Sequence, residues 1–247
     1  MELELVEILQ VTFSSIFIIV SIIVGLLLIS KYFKYKEKNF LLVGITWIGI
    51  TTPWLSGTIS FPMMVFFGTS LSIEVRFIIG IAIVPIILVI WLMVFTDLVY
   101  REKKKLIVII YTVICICFEI TFFILLFTDT SLIGTYTGPF KVDWTPFIEL
   151  STLSFIATAL VTGILFANKS MKSLNLEVKI KGKIILLAFL SFVIGGILDS
   201  IIPISPVGVV FTRLILISSA IEFFLGFFLP KPIKKFLLKT EEIQNFS

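Results

Sequence analysis

Apolar positions in this chain do not alternate with polar ones. They run on, in blocks at about 9–30, 40–59, 77–98, 106–127, 147–168, 184–203 and 209–229. A helix needs ~20 apolar residues to cross the hydrocarbon core of a bilayer. Each block is bounded by charged or turn-rich sequence, and each is read as one membrane-spanning helix. The first, Val11 to Ile29, follows Glu2, Glu4 and Glu7 rather than a basic segment, and no small-residue cleavage site comes after it. It is expected to stay as a span and not to be removed as a signal peptide. The second block is the least regular. It carries Thr51-Thr52-Pro53 and Gly57, and the run Phe61 to Phe67 behind it is too short to span. That run reads as a membrane-surface segment or a short re-entrant piece.

Composition agrees with the pattern. Of 247 residues, 58% are hydrophobic and 15% charged, and the mean hydropathy is +1.16. A soluble domain is roughly 45–50% apolar, so the solvent of this surface is lipid. The expected fold is all-α, a polytopic seven-helix bundle over residues 1–230, followed by a short basic tail at 231–247. The expected location is the cell membrane.

Charge orients the bundle. Lys31, Lys34, Lys36 and Lys38 follow the first block, and Arg101, Lys103, Lys104 and Lys105 the third. Lys169, Lys172, Lys179, Lys181 and Lys183 follow the fifth, and Lys231, Lys234, Lys235 and Lys239 the seventh. These are 17 of the 20 basic residues, all on one side if seven blocks span. Basic residues collect in cytoplasmic loops, so the expected topology is N-terminus out and C-terminus in. The clusters are read as topology signals with attraction to anionic lipid, not as a nucleic-acid surface.

Ionisable groups inside the blocks are the candidates for chemistry, because charge in hydrocarbon is costly, about 2.5–3.5 kcal/mol on insertion scales. Asp199 and Arg213 each stand seven residues from Pro206, which places them at matching depth on adjacent helices, and a salt bridge between them is expected. Glu119 lies in the fourth block, its face continued by Thr112 and Cys115. Glu149 heads the fifth, with Ser151, Ser154, Thr158 and Thr162 on one helix face below it. That hydroxyl stripe reads as close helix packing or as a polar cavity. Trp144 lies in the long connection Thr128 to Pro146 and suits a membrane–water boundary. Glu74 and Arg76, at the head of the third block, are expected to stay wet. Glu222, nine residues beyond Arg213 and so on the opposite helix face, is expected to meet another helix or an oligomer partner, with Ser218 and Ser219 close to it. Pro53, Pro85 and Gly195-Gly196 are expected kinks or close contacts. The ligand-binding candidates are therefore Glu119, Trp144, Glu149, Asp199 and Arg213, around an outward-facing polar pocket.

Several classes drop out. The chain contains no histidine, which removes His-ligated haem, Ser–His hydrolysis and His-rich metal sites. No lysine lies deep in a block, so a retinal Schiff base has no anchor. No glycine-rich phosphate loop is present. Cys115 and Cys117, two apart on a helix, point to different faces, and no disulfide is expected between them. No catalysis, metal or cofactor is expected.

The arrangement of the seven blocks resembles the membrane sensor regions that precede histidine kinases and related output domains in microbes, and receptor topology more generally. The resemblance covers all seven blocks and rests on topology. It implies sensing of a small or lipid-like ligand from the outer side. No output domain follows the seventh block, so a separate cytoplasmic partner would have to read the signal; a homo-oligomer is the other partner that the pattern allows. A small-solute transporter and a structural subunit of a larger membrane complex are the other classes that the pattern allows.

Overall fold

The structure is a computed structural model that describes residues 4–201 and 205–237. The expected turn at Pro203 and the tail beyond residue 237 lie outside the described residues. The helices in chain order are α1 (Leu5–Tyr35), α2 (Lys38–Gly49), α3 (Thr52–Phe67), α4 (Ile73–Phe77), α5 (Ile83–Leu98), α6 (Lys104–Thr128), α7 (Pro146–Met171), α8 (Leu176–Ile201) and α9 (Pro206–Phe227). A wide π-type turn, Ile78–Ala82, joins α4 to α5 without a break. Between α6 and α7 two short strands, β1 (Gly134–Tyr136) and β2 (Val142–Trp144), form an antiparallel hairpin.

Among the described residues, six helices are long and apolar enough to cross a membrane: α1, α4 through α5, and α6 to α9. The pair α2 and α3 passes the same test jointly, but it is bent by 54°. The chain is a multi-pass membrane protein. Its surface fits that reading. Ile109, Ile110, Val113, Ile116, Ile120 and Ile124 on α6 are all exposed, and such a continuous apolar face needs lipid against it.

The second block thus differs from one straight span. The helix ends at Gly49, and a new one starts at Thr52 with Pro53 in its first turn. Proline lacks an N–H and fits a helix start at no cost, whereas mid-helix it would remove a bond. Thr51 and Thr52 close the corner by donating their hydroxyls to Ile48 O and Gly49 O at 2.7 and 2.9 Å. The run Phe61 to Phe67 is not a separate segment but the second half of α3. In the third block Pro85 has no N–H for the carbonyl four residues back, and the wide turn Ile78–Ala82 lies just ahead of it. Widened turns of this kind occur at helix irregularities and often at functional sites.

Small residues set the helix spacing. A side chain on Gly44 would meet Gly25 O at 2.6 Å, so α1 and α2 cross backbone to backbone. Gly163 lies against the ring of Phe189. Without a hydrophobic drive between helices in lipid, close packing of this sort supplies much of the association. The core is aromatic. Trp47 stacks on Phe223 at 3.7 Å between centroids, and Trp91 lies 5.1 Å from Phe189. The indole N–H of Trp91 donates to Thr162 Oγ1 at 2.8 Å.

Candidate functional site

At one end of the bundle lies a cavity of about 630 Å³. Its walls are the N-terminal parts of α1, α3, α7 and α9, the C-terminal end of α8 and the π-type turn ahead of α5. The hairpin contributes Tyr136, Phe140 and residues 141–144. It is pinned over this end from two sides. Phe140 stands 6.4 Å from Phe61 of α3. Phe77 of α4 stacks on Tyr136 at 5.6 Å and lies 5.5 Å from Trp144.

Asp199, Arg213 and Trp54 form the polar centre. Arg213 Nη1 is 2.6 Å from Asp199 Oδ2. The Trp54 indole N–H donates to that same oxygen at 3.0 Å, and the guanidinium lies 5.6 Å from the Trp54 ring centroid. Arg213 is only 1% exposed and its carboxylate partner 23%. The cation is thus in the protein and the anion reaches toward the cavity. Burying a guanidinium without a partner would be strongly unfavourable, so this pair fixes the relation of α8 to α9. Nε of Arg213 has no hydrogen-bond partner among the described residues.

Arg76 is the second buried cation, contrary to the expectation that it stays wet. It is 8% exposed, because the hairpin folds over it. Its guanidinium carbon lies 4.0 Å from the Tyr136 ring centroid, and Nη2 donates to the carbonyl of Pro139. Nε is buried without a hydrogen-bond partner among the described residues, as is the Thr58 hydroxyl. The Tyr136 phenol is pushed above its ordinary range, first by burial and against the opposing effect of Arg76. Glu74, its neighbour in sequence, is exposed and does not line the cavity.

The other sequence candidates separate. Glu149 and Trp144 line the cavity and are exposed to its mouth. Glu119 does not line it. It sits half-buried on α6, with Oε1 buried and unpartnered among the described residues. The hydroxyl stripe on α7 also turns elsewhere. Thr158 Oγ1 is 3.3 Å from the Tyr111 hydroxyl and Thr162 accepts from Trp91, so it packs α7 against α5 and α6 while Thr152 and Ile156 face the cavity. Glu222 accepts from Ser218 at 2.5 Å, its Oε2 buried and unpartnered among the described residues. Both cysteines are free, Cys115 buried and Cys117 exposed.

Of the two adjacent glycines, Gly195 packs α8 on α9, and a side chain there would meet Leu216 Cδ2 at 2.9 Å. Gly196 lines the cavity, and a side chain there would meet nothing within 4 Å. Helix α8 runs unbroken through both.

Two features escaped the sequence reading. Trp54 gave no signal beyond its place after Pro53. The hairpin did, in principle: apolar and polar residues alternate from Gly134 to Trp144 around Gly138-Pro139, a strand–turn–strand pattern. No group of three or more His, Cys, Asp or Glu side chains able to hold a metal occurs among the described residues. No protein-family model, curated protein or solved structure matches this chain.

Proposed function

We propose that this chain is a seven-span receptor or sensor of the cell membrane, N-terminus out, whose cavity takes a small or lipid-like ligand from the outer side and whose cytoplasmic face signals to a separate partner. The observation that carries the reading is the cavity of about 630 Å³ built around Asp199, Arg213 and Trp54. A ligand site is a concave space of roughly this size with a few converging polar groups. Seven spans follow if α2 and α3 cross together. The orientation rests on the basic residues. Lys104, Lys169 and Lys234 engage Asp97, the carbonyls of Leu98 and Val99, and Glu177, all at the end of the bundle away from the cavity. Basic residues favour the cytoplasm, so the cavity would open outward. Two interrupted segments border it, the α2–α3 corner and the π-type turn, and irregularities of this kind let a helix take two packings.

Native mass spectrometry of the chain in lipid nanodiscs tests the reading. Gly196→Leu would put a branched side chain into the cavity from a position where an added Cβ meets nothing within 4 Å. A small molecule retained by the wild type and absent from this variant is the expected result. Equal retention, or no species beyond annular lipid in either, removes the ligand reading.

The α2–α3 corner also favours a second reading. Broken helices at a cavity mark substrate sites in transporters. Solute uptake into proteoliposomes that Gly196→Leu abolishes would establish transport in place of sensing.

A further inference from the structure

Beneath the polar cavity lies a second space of about 120 Å³. Its walls are almost wholly apolar and include Trp47, Trp91, Phe155, Phe189 and Phe223. The two spaces share a wall of Pro53, Trp54, Val84, Thr152, Ile156 and Gly196. A charged upper room therefore adjoins an aromatic lower one across this shared wall.

The charges of the upper room sum to zero, three acids against three bases, but they are not evenly paired. Asp199 is paired with Arg213. Asp143 stands 3.9 Å from Lys141, both well exposed. Glu149 is exposed, where water screens its charge. Arg76 is left. It is more than nine-tenths buried, no carboxylate among the described residues forms an ion pair with it, and its Nε has no partner. Among the described residues its guanidinium meets the Tyr136 ring face and the Pro139 carbonyl. Both are weaker counterparts than an anion, and an unneutralised buried cation is unfavourable. A guanidinium with free N–H groups matches carboxylate and phosphate oxygens.

We propose that the site takes an anionic amphiphile, its carboxylate or phosphate head on Arg76 and its hydrocarbon tail in the aromatic space between Trp47, Trp91 and Phe223. This rests on the reading of the cavity as a ligand site and narrows its ligand to one chemical class. The head is drawn by the unmatched cation. The tail is drawn by apolar surface that the protein leaves unfilled.

All four tryptophans of the chain line these two spaces, so intrinsic fluorescence reports their occupancy. Trp47 and Trp91 are 2% and 3% exposed, which shields them from bulk lipid. The test uses the full chain carrying Trp144→Phe, in nanodiscs of neutral lipid. The added probes are ω-bromododecanoate and its methyl ester, whose heavy atom quenches indole emission on contact. The acid is expected to quench saturably, at least about tenfold more tightly than the ester, the factor set by one charge-assisted contact. Arg76→Gln is expected to erase that preference and Arg76→Lys to keep part of it. A second arm replaces the free acid by phosphatidylglycerol with brominated tails in the disc. Quenching there that brominated phosphatidylcholine does not match assigns the ligand to the bilayer, whereas quenching confined to the free acid assigns it to an external amphiphile. Saturable quenching that is equal for acid and ester in the chain with Arg76 intact overturns the anionic head and leaves the cavity as a ligand site. No saturable quenching by any probe overturns both. The acid–ester comparison needs no arginine variant, so it stands even where Arg76→Gln fails to fold.

Discussion

Arg76 and Arg213, at the hairpin end, are buried beside an open space. At the opposite end Lys104 is half-exposed and bonded to Asp97 at 2.7 Å, and Lys169 is exposed and donates to the carbonyls of Leu98 and Val99. Lys31 lies over the ring of Phe228, and Lys234 meets Glu177, which also holds Lys181 at 2.8 Å. Both ends carry cations, but only one combines buried cations with room. The basic end uses water and helix C-terminal carbonyls, the cheap setting for positive charge. The hairpin end holds guanidiniums away from water, a costly setting that persists where function or a specific fold requires it. The difference is the one that the proposed ligand site at the hairpin end requires.

Substitutions can break or sharpen this contrast. The largest effect is expected at the buried pair. Asp199→Ala leaves Arg213 without its carboxylate and should cost roughly 3–5 kcal/mol, read as a lower unfolding temperature in detergent. Replacing both, Asp199→Leu with Arg213→Met, should recover most of that loss, since exchange of a whole buried pair for apolar groups is often neutral. The adjacent glycines come next. Gly195→Leu forces α8 off Leu216 and should cost about 1–3 kcal/mol, whereas Gly196→Leu should stay within about 1 kcal/mol in the same assay. Lys104→Ala, at the basic end, should cost no more than about 1 kcal/mol, as partly exposed ion pairs do, and the effect should shrink in high salt. A loss at Lys104 as large as that at Asp199 would erase the contrast.

The smallest expected effect is a pH dependence in the hairpin. Tyr136 has a folded-state pKa raised chiefly by burial. The folded chain then holds the phenol proton to higher pH than the unfolded chain does. The stabilisation is complete below the ordinary phenol pKa of about 10 and fades as pH rises through the higher folded value. Hydrogen exchange at Tyr136 and Val142 should therefore speed up more above about pH 10 than the chemical rate requires. An unchanged protection factor across that window would show that the Tyr136 phenol is not held buried by the packing of the hairpin.

Long apolar helices were legible because bilayer thickness is a length, and length is written in the chain. The proximity of Asp199 and Arg213 was legible for a similar reason: equal spacing from Pro206 sets equal depth. The corner at Ile50–Thr51 was not. Hydropathy averages across Thr51 and Thr52, and Pro53 reads the same whether it kinks a helix or starts one. Arg76 was misplaced because its cover, Tyr136 and Pro139, comes from sequence some sixty residues away, beyond any local pattern. Glu119 was grouped with the cavity because its depth in α6 is right; only packing shows that α6 stands apart from that space.

The central claim is that the cavity opens on the side opposite the basic loops, away from the cytoplasm. Intact cells would carry the chain with Cys115 and Cys117 replaced by serine and one cysteine introduced, either Thr152→Cys in the cavity wall or Lys103→Cys in the basic loop. A membrane-impermeant maleimide added outside should label Thr152→Cys and leave Lys103→Cys untouched until the cells are opened. Labelling of Lys103→Cys in intact cells, with Thr152→Cys protected, would contradict the account.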